Sequence, residues 1–243
     1  MRVGIFTDIH GNLEALDAVA AAYSGERVDR LVCLGDVVGY GANPNECCEI
    51  VRRLAGVTVL GNHDAAVCGR MDYSYYYDAA HQVLDWTAGA LSPENRAWLG
   101  SLEYMAAFDD MCFCHGSPAA PEQFEYIFSL EQARTLLPRF SSLQKVSFVG
   151  HSHLCKTFAL VENEVNDVIA QKFGLRKGYK YVISAGSIGQ PRDYDTRACY
   201  TIYDTENRIF EFKRVEYDVD RASAKITAAG LPAAFAKRLH MGI

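Results

Sequence analysis

The sequence has no long hydrophobic run. No apolar stretch nears the ~20 residues that a membrane-spanning helix needs, so a membrane partner is not expected. Nor is there a leader: Met1-Arg2 runs straight into the strand-like Val3-Gly4-Ile5-Phe6. Basic residues are in deficit, with 24 Lys and Arg against 30 Asp and Glu and a net charge of −6. General nucleic-acid binding needs a basic face and is therefore disfavoured. A small phosphate compound stays open if bound cations supply the positive charge. The eight cysteines (33, 47, 48, 68, 112, 114, 155 and 199) include no Cys-x-x-Cys pair. Several sit in apolar runs, where a free thiol behaves as a small hydrophobe. Without a leader, the reduced, cytoplasmic compartment is expected. There is also no repeat, low-complexity run or linker, so the 243 residues read as one domain over 1–243. The oligomeric state is not legible.

What is present is alternation. Strands are expected at Arg2 to Thr7, Arg30 to Leu34 and Val57 to Leu60. Between them lie helices from Leu13 to about Tyr23, behind an Asn12 cap, and from Pro44 to about Leu54, behind Asn43. Such strand–helix units imply a parallel sheet covered by helices. A helix is expected from Asp72 to Gly89, with Tyr73, Tyr75, Tyr76 and Tyr77 in its first turns. A second follows Ser92-Pro93, and a third follows the capping box Ser129-Leu130-Glu131-Gln132 and runs to about Leu137. Met111 to Cys114, Lys145 to Val149, Thr157 to Val161, Val165 to Ala170, Tyr181 to Ala185, Cys199 to Tyr203 and Ile209 to Val215 read as strands. Two amphipathic helices close the chain. The expected class is α/β, with two mixed sheets packed together and flanked by helices.

Five strand-like runs end on metal-ligand residues. They are Phe6-Thr7-Asp8-Ile9-His10, Leu34-Gly35-Asp36, Leu60-Gly61-Asn62-His63-Asp64, Cys114-His115-Gly116 and Val149-Gly150-His151-Ser152-His153. Each alone has a plain structural reading, such as a cap, a turn or a satisfied loop histidine. Together they hold five of the seven histidines at the strand edge where α/β folds place chemistry. Imidazole with carboxylate and no thiolate suits Zn, Mn, Fe, Co or Ni rather than Ca.

The series Asp8-x-His10, Gly35-Asp36, Gly61-Asn62-His63-Asp64 and Gly150-His151-x-His153 resembles the calcineurin-like metallophosphoesterase superfamily over nearly the whole chain. The resemblance implies a four-layer α/β/β/α sandwich with two divalent metal ions. By matching position, Asp8, His10, Asp36 and His153 would hold one ion. Asp36, Asn62, His115 and His151 would hold the other, with Asp36 bridging. Gly35-Asp36-Val37-Val38-Gly39-Tyr40 lacks the arginine that follows this block in protein phosphatases and symmetrical dinucleoside tetraphosphatases. The chain therefore looks like the small bacterial phosphodiesterase-like branch, as does Gly186-Ser187-Ile188-Gly189-Gln190-Pro191-Arg192.

The reaction this implies is hydrolysis of a small phosphodiester, or a monoester, by attack of a metal-bridging hydroxide. His63 is expected to protonate the leaving oxygen and Asp64 to hold the His63 ring. Arg192 and Tyr40 are candidate substrate contacts. The tyrosine group could stack on a base, or it could cover the core from a helix face. Lys172, Arg176, Lys177 and Lys180 could attract an anion, or they could form a solvated loop. The alternative function is a catalytically idle metal-binding scaffold for protein partners on the same fold. A nuclease for DNA ends is disfavoured by the acidic balance.

Overall fold

The first five elements alternate as the sequence pattern requires: β1 (Arg2–Phe6), α1 (Leu13–Ser24), β2 (Arg30–Cys33), α2 (Pro44–Leu54) and β3 (Val57–Thr58). The computed structural model describes residues 1–243. Asn12 caps α1, accepting from the Ala15 N–H at 3.1 Å. Leu16, Val19 and Tyr23 form the buried stripe of that helix. Asn43 stands at the start of α2 but does not cap it. Its amide donates to Glu46 Oε1 at 2.9 Å and its oxygen accepts from Lys225 Nζ at 3.0 Å. The preset φ of Pro44 starts this helix instead.

The middle of the chain departs from expectation in three places. Asn62 begins a short helix, α3 (Asn62–Val67), rather than a bare turn. The next helix, α4 (Asp78–Ala90), begins later than Asp72. The Asp72 carboxylate accepts from the Ser74 N–H at 2.9 Å and Ser74 Oγ at 3.0 Å, an Asx turn that competes with helix. Tyr73 to Tyr77 therefore lie in a loop ahead of the helix, not on its core-facing side. After α5 (Pro93–Gly100) comes an unforeseen edge strand, β4 (Met105–Phe108), then β5 (Met111–Cys114). The capping box opens α6 (Leu130–Arg134). It passes into a 3-10 stretch over Leu137–Ser142, where Pro138 withdraws a backbone donor.

The last third holds β6 (Val146–Val149), β7 (Cys155–Val161), β8 (Glu164–Asp167), β9 (Lys172–Gly174), β10 (Lys180–Ala185), β11 (Ala198–Asp204) and β12 (Ile209–Val215), then α7 (Val219–Ala228) and α8 (Ala233–Leu239). The expected strand to Ala170 stops at Asp167, and the chain crosses to the other sheet as β9. One sheet has the order β3-β2-β1-β11-β12-β9 and the other β4-β5-β6-β10-β7-β8. Both are mixed. β1, β2 and β3 run parallel, as do β5, β6 and β10, while all the other pairs are antiparallel.

Three apolar cores stack these layers. Phe6, Leu16, Val19, Cys47 and Val51 join the first sheet to α1 and α2. Val3, Ile5, Val32, Phe113, Phe148, Ile183 and Phe210 fill the space between the sheets. Val149, Phe158, Leu160, Ala133 and Leu136 join the second sheet to α6. This is the expected four-layer α/β/β/α sandwich. The parallel strands of both sheets bring their carboxyl ends to one edge, so loops from two sheets meet there. No helix is long and apolar enough to cross a membrane.

Phe148 lies at the centre of the inter-sheet core, fully buried, with ring centroids 5.5 Å from Phe113, 5.7 Å from Tyr203 and 6.0 Å from Phe210. Phe148→Ala is expected to cost about 3–5 kcal/mol, since it removes the transfer term and leaves a cavity. Equilibrium urea unfolding reads this as a lowered midpoint at unchanged slope.

Candidate metal centre

The loops after β1, β2, β5 and β6, with the first turn of α3, carry the ligand-type residues to one point. The turns are tight. Of ten non-glycine residues with positive φ, six are Asp8, His10, Asp36, Tyr40, His151 and His153. Asp and His tolerate this region better than most residues, yet each such position costs about 1–3 kcal/mol unless its surroundings over-determine it. Backbone hydrogen bonds supply that constraint. Asp8 N–H donates to Gly35 O, His10 N–H to Asp36 O, Gly41 N–H to His10 O and Gly189 N–H to Asp8 O, all at 2.8–3.0 Å. Gly189 must be glycine, because any Cβ there would collide with the Ile9 carbonyl.

The protonation of each ring follows from its partners. His10 Nδ1 is 3.1 Å from Val38 O, His115 Nδ1 2.8 Å from Leu34 O and His153 Nδ1 2.6 Å from Gln190 O. A carbonyl only accepts, so each Nδ1 carries a hydrogen, and in the neutral ring each Nε2 presents a bare lone pair. Those lone pairs converge. His10 Nε2 and His153 Nε2 are 3.1 Å apart. His115 Nε2 faces Asn62 Oδ1 at 3.1 Å, while the Asn62 amide nitrogen donates away, to Tyr76 Oη at 2.9 Å.

The carboxylates repeat the arrangement. Asp8 Oδ2 accepts from His151 N–H at 3.0 Å and Asp36 Oδ1 from His63 N–H at 2.8 Å. Their other oxygens, Asp8 Oδ1 and Asp36 Oδ2, are buried without a hydrogen-bond partner. Asp8 Oδ1 lies 3.7 Å from His10 Nε2 and 3.4 Å from His153 Nε2. Asp36 Oδ2 lies 3.6 Å from His10 Nε2 and 3.3 Å from His115 Nε2, so it reaches both sides. Acceptors that face acceptors in a buried site need positive charge between them. Ligands about 2.1 Å from one ion stand roughly 3 Å apart, which these spacings fit. Three sets of ligand atoms each lie within 4.8 Å of one another: Asp8, His10 and His153; Asp36, His115 and His151; and His10, Asp36 and His63.

Titration reflects the same crowding. Burial raises Asp36, but the facing His115, His63 and His10 outweigh it and hold the carboxyl well below its ordinary range. Burial lowers His115, and Asp36 and Asp8 reverse this to about 9. A proton on His115 thus answers the same unpaired carboxylate charge that a cation would. Burial drives His151 and His153 well below the ordinary imidazole range, which favours the neutral form a metal needs.

A calcineurin-like phosphoesterase superfamily domain model matches residues 1–208. The chain belongs to the calcineurin-like phosphoesterase superfamily. It is 36% identical to an uncharacterized protein of Methanocaldococcus jannaschii, over 99% of this chain and 98% of that one. It is similar to the crystal structure of a metallophosphoesterase from Sphaerobacter thermophilus, with a TM-score of 0.85, 36% identity and coverage of 100% of this chain and 99% of that one. A hypothetical protein from Pyrococcus horikoshii shares the fold at 19% identity and a TM-score of 0.80, over 100% of this chain and 98% of that one. The phosphoesterase fold thus comes with a cluster of residues able to hold a metal ion.

Beside the phosphoesterase ligand cluster opens a cavity of about 540 Å³. Its floor is Asp36, Asn62, His151 and His153, and His63, Tyr40 and Arg192 line it. Arg192 is tethered by Nη2 to Gln190 Oε1 at 3.0 Å. His63 packs against Tyr40 and His10, with ring centroids at 4.5 and 4.8 Å. Gly39, at φ 92°, leaves room for the His63 ring. Tyr75, Tyr76 and Tyr77 also reach the cavity, whereas Tyr73 turns away to donate to Asp85 at 2.8 Å. Of the basic group, Lys172 pairs with Glu211 and Lys180 donates to the carbonyls of Phe140, Ser141 and Leu143. None of its four members lines this cavity. Sequence reasoning missed Tyr126, whose ring stacks on His151 with centroids 3.7 Å apart and a 14° interplanar angle. No motif marks it, because its loop arrives by tertiary packing alone.

Asp64 requires a correction. It does not hold the His63 ring, whose Nδ1 is buried without a partner. Asp64 Oδ1 accepts from Val37 N–H at 3.0 Å and Val38 N–H at 3.2 Å, and Oδ2 accepts from Gly61 N–H at 3.2 Å. Its place on α3 turns it toward the loop after β2, so it braces the Asp36 turn. In Asp64→Asn an amide N–H₂ must face one of these three donors. The expected loss is about 1–3 kcal/mol from one unsatisfied buried donor, read as a lower thermal midpoint of the metal-free protein. An unchanged midpoint would remove Asp64 from this bracing role.

Proposed function

We propose that the chain is a phosphoesterase that depends on two divalent transition-metal ions (Mn, Fe, Zn, Ni or Co) and acts on a small phosphodiester. The observation that supports this is Asp36 Oδ2, buried, unpaired and within 3.6 Å of imidazole nitrogens on both sides. Asp8, His10 and His153 would hold one ion, Asn62, His115 and His151 the other, with Asp36 shared. When bound, such a pair activates an attacking water and offsets charge on the phosphoryl oxygens.

The chain's own residues orient the substrate and move its proton. The carbonyls of Val38, Leu34 and Gln190 fix the ring tautomers, so each Nε2 stays a ligand. Tyr76 keeps the Asn62 amide turned so that its oxygen faces inward. Arg192, the one cationic side chain of the cavity wall, would meet a non-bridging oxygen. One guanidinium suits the singly charged diester better than the doubly charged monoester. His63 would carry a proton to the leaving oxygen. Burial pushes its imidazole down to about 3, against the pull of Asp36. An anionic ester entering the cavity opposes burial and favours the protonated ring. An idle scaffold has no need of this buried ring with an unpartnered nitrogen.

The test is turnover of bis-p-nitrophenyl phosphate against p-nitrophenyl phosphate by protein reconstituted with Mn²⁺, with a chelated control. The diester is expected to be the better substrate and the chelated protein inactive. Turnover of the monoester alone would overturn the diester preference. His63→Asn is expected to lower kcat by about 10²- to 10⁴-fold at unchanged metal content measured by atomic emission. Loss of metal in that variant would make His63 a ligand instead.

A further inference from the structure

The phosphoester cavity has an unusual wall. Tyr40, Tyr75, Tyr76, Tyr77 and Tyr126 line it, and apart from the metal-ligand floor and His63 its only charged side chain is Arg192. Two of these tyrosines take no part in the apolar cores. Tyr75 is 72% exposed and Tyr77 56% exposed, and neither belongs to an apolar core, whereas Tyr76 packs on one. Tyr75 meets Tyr76 edge-on, with centroids 5.2 Å apart at 71°, so the two rings form a corner. Tyr126, in the same lining, is stacked against His151. Exposed aromatic faces grouped at the mouth of a polar site mark a binding surface rather than a fold requirement.

Resting on the phosphodiesterase reading above, we propose that this wall selects esters of a single phosphoryl group in which one arm carries a planar aromatic ring of nucleobase size. The size fits, since a cavity of about 540 Å³ lies within the usual range for compact organic ligands, roughly 300–1,000 Å³. The charge fits as well. A polyphosphate chain would bring several anionic phosphoryls into a wall that offers one guanidinium, leaving the remainder desolvated against phenol rings. One phosphoryl at the ligand cluster, Arg192 beside it and an aromatic ring among Tyr75, Tyr77 and Tyr126 leaves no charge unanswered.

The test uses two diesters with the same leaving group, thymidine 5′-(p-nitrophenyl phosphate) and methyl p-nitrophenyl phosphate. In Mn²⁺-reconstituted protein, kcat/KM for the thymidine ester is expected to exceed that for the methyl ester by on the order of tenfold, the scale of one base–aromatic stack. In the Tyr75→Ala, Tyr77→Ala double variant the ratio is expected to fall toward one through KM. Equal values in the unmodified protein would overturn the aromatic selection and leave the diesterase reading standing. Faster turnover of a dinucleoside tetraphosphate than of the thymidine ester would overturn the single-phosphoryl assignment. A binding arm separates the two layers: thymidine 5′-monophosphate is expected to bind about tenfold more tightly than methyl phosphate by calorimetry. Tighter binding without turnover of either ester would sink the diesterase reading and keep the aromatic site. Equal binding would sink the aromatic site.

Discussion

Everything at the edge of this sandwich depends on one electrostatic constraint, the burial of acceptors that face acceptors. Asp8 and Asp36 each give one carboxylate oxygen to a backbone N–H and hold the other unpaired. In their neutral forms three imidazoles give their only N–H to backbone carbonyls and turn lone pairs inward. No hydrogen bond among these groups can satisfy them all, because the donors are already committed. A positive charge at the centre removes the conflict. The polarity of the site is thus set by the backbone around it, one layer away from the chemistry.

The same constraint accounts for the local strain. Six ligand and cavity residues sit at positive φ, where backbone is costly unless it is tied on several sides. Here the ties run between distant loops. The segment from Ser187 to Arg192 holds the β1 loop through Ser187 Oγ to Asp8 O at 2.9 Å and Asn12 Nδ2 to Gly189 O at 2.9 Å. It also carries the carbonyl that orients His153. On the other side, Tyr40 rests on Phe235 of α8, with ring centroids 4.6 Å apart. The terminal helices, which extend past the matched family domain, therefore back a residue that touches both His10 and His63. Rigidity at the centre is a property of the whole sandwich edge.

The cavity divides charge from shape. Its floor concentrates charged and lone-pair groups, and its wall is almost wholly neutral. Tyr76 joins the two, because its hydroxyl accepts from the Asn62 amide while its ring faces the cavity. Ligand geometry and substrate fit are thereby coupled through one side chain, in a loop that exists because Asp72 forms a turn instead of starting α4.

The sequence by itself determined the layer order and which ligand-type residues close the strands. Both rest on short-range signals: apolar runs of strand length, caps such as Asn12 and Ser129, and Asp, Asn or His placed where a strand must end. These signals survive without knowledge of distant contacts, since burial of a strand and the turn beyond it are local demands. Tertiary structure alone decided the rest. Asp64 reads as a partner for its neighbour His63, yet the helical turn of α3 aims it at Val37 and Val38 across the loop after β2. The tyrosines read as a helix face, yet the Asx turn at Asp72 releases Tyr75, Tyr76 and Tyr77 to the cavity. Tyr126 carries no motif at all and meets His151 only because two separate loops fold over the same edge. The edge strands β4 and β9 are short and partly exposed, so their pairing comes from the sheet they join and not from their own pattern. What depended on which residue faces which, across long chain separations, could be set only by the packed fold.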